Sequence, residues 1–388
     1  MSYDSAALPA LHCQLRRWHE RVRSLVVLRW LVVFTRIALA LAFVPQALLK
    51  LRGVPFTTVS TTTRTGFFFD ALYHSGAYWQ FIGASQIIAS LLLLIPATTA
   101  LGALLFVPIL VNILVITASL EFPLYFPMLV SFMLLLVTLL LAWDYHQLAG
   151  VLWGASAVYE VSPELHPAKG LAPRVRNALQ QLHLRARSQA ALHRLAVISR
   201  ILLALAFVPT AMVKVMGHRF TTVPTSTPIG YFFEAMYQSG AYWRFLGVSQ
   251  FIAGVLLLVP ATSTIGALLF FPIILNIFVI TVSLHFAGTP VITALMLLAS
   301  LFLLCWDYHR CAAVLWGAPA AYDVPTMPEF PRVERVGYVV GAVGAMAVLL
   351  LSRGLGTPGA MRVMGIGGIA CAVTGAGLVV TGWVRARR

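Results

Sequence analysis

The sequence predicts an all-α integral membrane protein: two tandem four-helix units in parallel orientation plus a C-terminal helical hairpin, about ten membrane-spanning helices in all. Three observations predict it. Hydrophobic residues make up 60% of the 388 positions and charged residues only 10%, whereas a soluble domain carries about 25% charge. Apolar runs of roughly 18 residues or more recur along the chain, long enough as helices to cross about 30 Å of hydrocarbon. Finally, one four-helix stretch of the chain is repeated by the next, leaving the C-terminal hairpin without a counterpart.

The repeat is read directly. Arg36 and Arg200, Lys50 and Lys214, Gln86 and Gln250, and Asn112 and Asn276 each stand 164 positions apart. Residues 70–86 and 234–250 share 11 of 17 identities. The offset falls to 163 at Trp143-Asp144-Tyr145-His146 against Trp306-Asp307-Tyr308-His309, because the loop after Leu120 has lost one residue in the second copy. Duplication explains such a pattern; convergence does not.

In chain order, residues 1–24 form a basic cytoplasmic segment with Arg16, Arg17, Arg21 and Arg23. The apolar run behind it is too long for a signal peptide and has no cleavage site, so the first helix is expected to be retained. The first unit covers 25–160, with helices expected at about 28–50, 76–95, 99–120 and 124–143. A basic linker, 161–191, carries Ser162-Pro163 and His166-Pro167 and then a helix-like run with Arg174, Arg176, Arg185 and Arg187, suited either to an anionic inner leaflet or to solvent. The second unit, 192–324, repeats the helices at about 192–214, 240–259, 263–284 and 290–306. Residues 325–388 are a connector and a hairpin at about 336–352 and 362–384, whose glycines, Gly337-x-x-x-Gly341 among them, suit close packing in lipid. Four spans return each unit to its starting side, so the pseudo-symmetry axis lies along the membrane normal.

The net charge of +15 invites a nucleic-acid reading. Its distribution argues for a membrane instead: with both termini cytoplasmic, 17 Lys and Arg lie inside and 8 outside, as the positive-inside bias requires. Cys13, Cys305, Cys311 and Cys371 form no CxxC pair and do not recur between the copies, which speaks against a structural disulfide or a thiol redox centre.

Polar residues inside hydrocarbon are costly and mark candidate function. Those kept in both copies are Arg36/Arg200, Lys50/Lys214, Asp70/Glu234, Gln86/Gln250, Asn112/Asn276 and Asp144/Asp307. Lys50 and Asp70 bracket an outer loop with Thr57 and Thr58, as Lys214 and Glu234 bracket Thr221 and Thr222. A lysine–carboxylate pair there either pins the loop or, with the threonines, receives a polar head group or ring. Gln86 and Asn112 are expected to meet each other or Ser85 between neighbouring helices, as interhelical glue or as the deep end of a ligand site. Arg36 either snorkels to the inner face or meets Asp144. His146 and His309 with the nearby aspartates are too few ligands for a metal site.

These residues resemble a family. Arg36-Ile-Ala-Leu-Ala-Leu-Ala-Phe leading to Lys50, then Ser75-Gly-Ala-Tyr-Trp, Gly83 and Gln86, then Leu91-Leu-Leu-Leu and Pro108-Ile-Leu-Val-Asn112 resemble the DoxX family of four-helix bacterial membrane proteins. The second copy resembles it through Arg200, Lys214, Ser239-Gly240, Gly247, Gln250, Pro272 and Asn276. The resemblance implies a bacterial inner membrane and an association with membrane redox complexes, including a thiosulfate:quinone oxidoreductase subunit. The chain departs from the family at Gln86 and Gln250, where an acid is frequent, and at Thr117 and Thr281, where a histidine is frequent.

The expected function is therefore non-catalytic binding of a lipid-like or quinone-like molecule in each unit, as the membrane component of a larger assembly. Lys50/Lys214, Asp70/Glu234 and the threonines would hold the polar end, and Gln86/Gln250 with Asn112/Asn276 the deeper end. A small-molecule transporter, with breaks at Pro45/Pro209 and Pro108/Pro272, and a quinone-linked oxidoreductase subunit are the alternatives. Quinone is the cofactor considered, since no haem, flavin or metal motif is visible; the partners expected are membrane lipids and a membrane or redox-complex protein.

Overall fold

The computed structural model describes residues 10–55, 57–154, 157, 171–317, 324, 330–353 and 358–385; the linker prolines 163 and 167 and the terminal Arg387 and Arg388 lie outside them. Every regular element described is helical. Ten of the helices are long and apolar enough to cross a membrane.

The first set is α1 (Ala10–Arg23), α2 (Val26–Leu51), α3 (Arg64–His74), α4 (Ala77–Leu94), α5 (Thr99–Ser119), α6 (Tyr125–Trp143) and α7 (Tyr145–Trp153). The same order follows as α8 (Leu171–Arg187), α9 (Ala190–Val215), α10 (Pro228–Gln238), α11 (Ala241–Leu258), α12 (Ser263–Ser283), α13 (Thr289–Trp306) and α14 (Tyr308–Trp316). The chain ends with α15 (Arg332–Ser352) and α16 (Pro358–Arg385). Corresponding helices α2 and α9 both have 26 residues, α4 and α11 both 18, and α5 and α12 both 21.

Short helices supplement the expected spans. Thr63 and Thr227 accept the amide N–H of Gly66 and Gly230 and so start α3 and α10, satisfying a backbone donor that helix geometry leaves orphaned. Each ends in a serine followed by a glycine with positive φ, Gly76 at +61° and Gly240 at +63°, a conformation that glycine adopts without steric cost. The chain then turns directly into α4 or α11. Pro45, Pro108, Pro209 and Pro272 lie inside helices that continue through them.

Lipid tails are as apolar as leucine, so helix association in a bilayer rests on close packing and polar contacts. Each set has its own core. Phe43 meets Phe106 edge-on at 4.9 Å beside Leu93 and Leu140, and Phe207 stacks on Phe270 at 3.8 Å beside Leu257 and Leu303. A third cluster joins the two sets at one end through Phe68, Trp79, Phe232, Tyr242 and Trp243.

The amphipathic helices α1 and α8 close the other end. His19 donates from Nε2 to the terminal carbonyl of α6 at Trp143 (2.8 Å), and His183 does the same to Trp306 of α13 (3.0 Å). Arg23 and Arg187 lie over the same two indoles at 5.1 and 4.6 Å. These four residues also stand 164 apart, so the repeated pattern reaches back into the segments read as a tail and a linker.

Beside this lock His309 holds a buried Nδ1 with no hydrogen-bond partner among the described residues. Burial first, then Arg187, His183 and Arg310, push its pKa from 6.5 down to about 3. Its ring therefore stabilises the fold as a neutral group. That contribution is complete above pH 6.5 and declines as the pH falls from there toward 3. Thermal melts in detergent are expected to show about 2 kcal/mol less stability at pH 5 than at pH 7 from this group. His309→Asn removes that part of the acid sensitivity; equal sensitivity in the variant would show that another group is responsible.

Candidate functional site

At the joined end, α2 and α4 approach closely because Gly83 has no side chain. A Cβ there would sit 2.7 Å from the Ala47 carbonyl oxygen and 2.9 Å from Lys50 Cβ. Gly247 does the same between α11 and α9. One turn earlier on each helix, an indole is fixed by a bond to the loop that follows the lysine: Trp79 Nε1 donates to the Val54 carbonyl (3.1 Å), and Trp243 Nε1 to that of His218 (2.9 Å). The lysine ammonium lies over this ring, Lys50 at 5.4 Å from Trp79 and Lys214 at 5.4 Å from Trp243. Both lysines are buried, at 8% and 7% exposure.

The expected lysine–carboxylate pairing is not what forms. Asp70 accepts a 2.6 Å bond from Tyr231 Oη of the other repeat and meets His74 Nδ1 at 3.2 Å. Glu234 is taken by Arg219 in a two-pronged pair (2.9 and 3.0 Å) and by Gln238. The Arg219 hydrogen bond holds the Glu234 carboxyl below its usual range. The reason is reach: the acids sit on α3 and α10 and find their partners on or beside those short helices, while the lysines lie at the α2–α4 and α9–α11 seams. Lys214 instead donates to the Thr210 carbonyl (3.4 Å) and has Phe220 as a second ring at 4.6 Å. Among the described residues no carboxylate lies within 4.0 Å of its ammonium.

The threonines shape the loops. Thr57 Oγ1 accepts from the Val59 amide and Thr221 Oγ1 from the Val223 amide (3.2 and 3.1 Å), whereas Thr58 and Thr222 are exposed.

The deep polar layer also differs from the expected glutamine–asparagine contact. Tyr242 Oη donates to Asn112 Oδ1 (2.9 Å), and Tyr78 Oη to Asn276 Oδ1 (3.1 Å). Each asparagine thus serves the opposite repeat, and its amide returns a bond to the carbonyl of Pro108 or Pro272. Ser85 turns to its own helix at Phe81. Gln86 and Gln250 remain buried, each with a side-chain oxygen that has no partner among the described residues. The double change Tyr78→Phe/Tyr242→Phe is expected to cost about 1 kcal/mol per site. A detergent melting point equal to that of the parent would show that the crossed bonds carry no weight.

At the opposite end of the spans Arg36 caps the last carbonyls of α4, Leu93 (2.7 Å) and Leu94 (2.8 Å), rather than pairing with Asp144, which has Arg23 at 3.9 Å. In the second copy Arg200 does reach Asp307, at 3.5 Å, and Thr264 bonds the same carboxylate at 2.8 Å. The described residues contain no group of three or more metal-binding side chains.

A cavity of about 340 Å³ opens beside the Lys214 cage, lined by Arg64 of the first repeat and by Gly217, Tyr237, Trp243 and Arg244 of the second. Another of about 430 Å³ lies against Thr63, Arg64, Leu120 and Glu121. The sequence reading passed over Arg64, Arg244 and the tyrosines. Tyr78 and Tyr242 were legible as a repeated pair inside Gly-Ala-Tyr-Trp; Arg64 and Arg244 have no repeated counterpart to flag them.

No protein-family model matches the chain, and no solved structure does. Over 40 residues it is 58% identical to an uncharacterized Bacillus subtilis (strain 168) protein, YwoB. That segment is 10% of this chain and 26% of the relative, so the match spans about a quarter of the relative's length.

Proposed function

We propose that this is a non-catalytic bacterial inner-membrane protein of two DoxX-like units in the same orientation, binding a lipid-like or quinone-like molecule at their outer ends as part of a larger membrane assembly. One observation carries the reading: Lys214 is buried with a carbonyl and two aromatic rings about its ammonium and, among the described residues, no carboxylate within 4.0 Å. A buried cation costs several kcal/mol unless paired, and a phosphate or a quinone oxygen supplies the missing acceptor. The neighbouring cavity offers room for a head group or ring, and the unpartnered oxygens of Gln86 and Gln250 lie farther along the same helices. Glutamine and threonine, in place of the acid and histidine frequent in the DoxX family, favour holding a molecule over moving protons through it.

Mass spectrometry of small molecules co-extracted with the purified protein tests this. A specific quinone or lipid is expected in the parent and lost from a folded Lys50→Ala/Lys214→Ala variant. The same bulk lipid in both samples would sink the assignment.

A further inference from the structure

We propose that α1 and α8 are a matched pair of interfacial helices that bind anionic phospholipid headgroups at the membrane surface on which they lie. This is independent of the lysine-cage site, which sits at the opposite ends of the spans.

Each helix presents three faces. The tethered face of α1 carries His12 and His19, at 2% and 6% exposure, bonded to the Tyr145 hydroxyl and the Trp143 carbonyl. In α8 it carries His183, at 5%, bonded to Trp306. With 3.6 residues per turn, Leu11, Leu15 and Trp18 form a stripe about a quarter-turn from the tether. All three are exposed, as are Val175, Leu179 and Leu182 at the corresponding positions of α8. Soluble exposure of a Trp–Leu stripe is costly, and both helices run into membrane spans within three residues, Arg23 to Val26 and Arg187 to Ala190. The stripe therefore lies at the level of the bilayer boundary.

The third face decides the lipid. Arg17 and Arg21 in α1, and Arg174 and Arg185 in α8, fall on the edge about half a turn from the histidine tether, pointing away from the bundle. All four are exposed. Glu20, the acid in α1, is paired with Arg16 at 2.9 Å. An apolar stripe flanked by an arginine edge is the arrangement that seats a helix in the headgroup layer, and clustered arginine selects anionic lipid.

The test uses the full chain in nanodiscs of phosphatidylcholine alone or of an equimolar mixture with phosphatidylglycerol. Hydrogen–deuterium exchange over 10–23 and 174–187 is expected to slow about threefold in the anionic discs. The variant Arg17→Gln/Arg21→Gln/Arg174→Gln/Arg185→Gln is expected to lose that difference and leave exchange in the spans unchanged. Equal exchange in the two lipids, or slowing that survives in the variant, overturns the proposal. Bromine-labelled acyl chains should quench Trp18, read as the difference from Trp18→Phe; absence of that quenching overturns it as well.

Discussion

Glu334→Ala is expected to lower stability by about 3 to 5 kcal/mol, the largest effect of any single side chain outside the cores. Glu334 stands in the first turn of α15 with no exposed surface. Its carboxylate accepts two bonds from Arg194 of α9, at 2.9 and 3.2 Å, and further bonds from Tyr338 (3.2 Å) and Trp383 (3.0 Å). It thus ties α15 and α16 to each other and to the second repeat. Removing it strands Arg194, whose side chain is only 19% exposed, without a counter-charge. A buried charge left alone costs far more than the pair contributes. Hydrogen–deuterium exchange should then rise throughout 332–352. Glu334→Gln keeps the shape and separates the charge effect from packing. A melting point and exchange pattern equal to the parent's would refute the anchoring role.

Gly247→Ala is expected to cost about 3 kcal/mol and to abolish the small-molecule retention proposed for the Lys214 site. The added Cβ would lie 2.8 Å from the Ala211 oxygen, from Lys214 Cβ and from the Val215 nitrogen. Two of these atoms are backbone, so α9 and α11 must separate. The separation moves Lys214 off the Trp243 indole, 5.4 Å from its ammonium. Gly367→Ala, on an open face of α16 where a Cβ meets nothing within 4 Å, is the control. Unchanged melting and ligand retention in Gly247→Ala would show that the seam yields without loss.

Membrane character was legible in the sequence because hydrocarbon imposes a composition and a length on any helix that crosses it. The repeat was legible because identities at a fixed spacing need no structure to be counted. Arg36, Lys50, Gln86 and Asn112 were recognisable as outliers for the same reason: each is a polar group in an apolar run. Their partners were not legible. Asn112 bonds Tyr242, 130 positions away, and Asp70 bonds Tyr231, 161 away. Such contacts depend on how one repeat faces the other, which no local pattern encodes. The glycine-rich hairpin read as a packing element from its composition, and Gly337, Gly344 and Gly375 do let α15 and α16 close on each other; its tie to α9 through Glu334 and Arg194 was not legible. Trp30, at the position equivalent to Arg194, is 71% exposed in the first repeat. By itself, then, the sequence determined the medium, the number and approximate length of the spans, and which polar residues are out of place. Tertiary structure alone decided which of them meet, because a side chain's partner is set by close approach of distant helices, and that approach turns on single glycines such as Gly83 and Gly247.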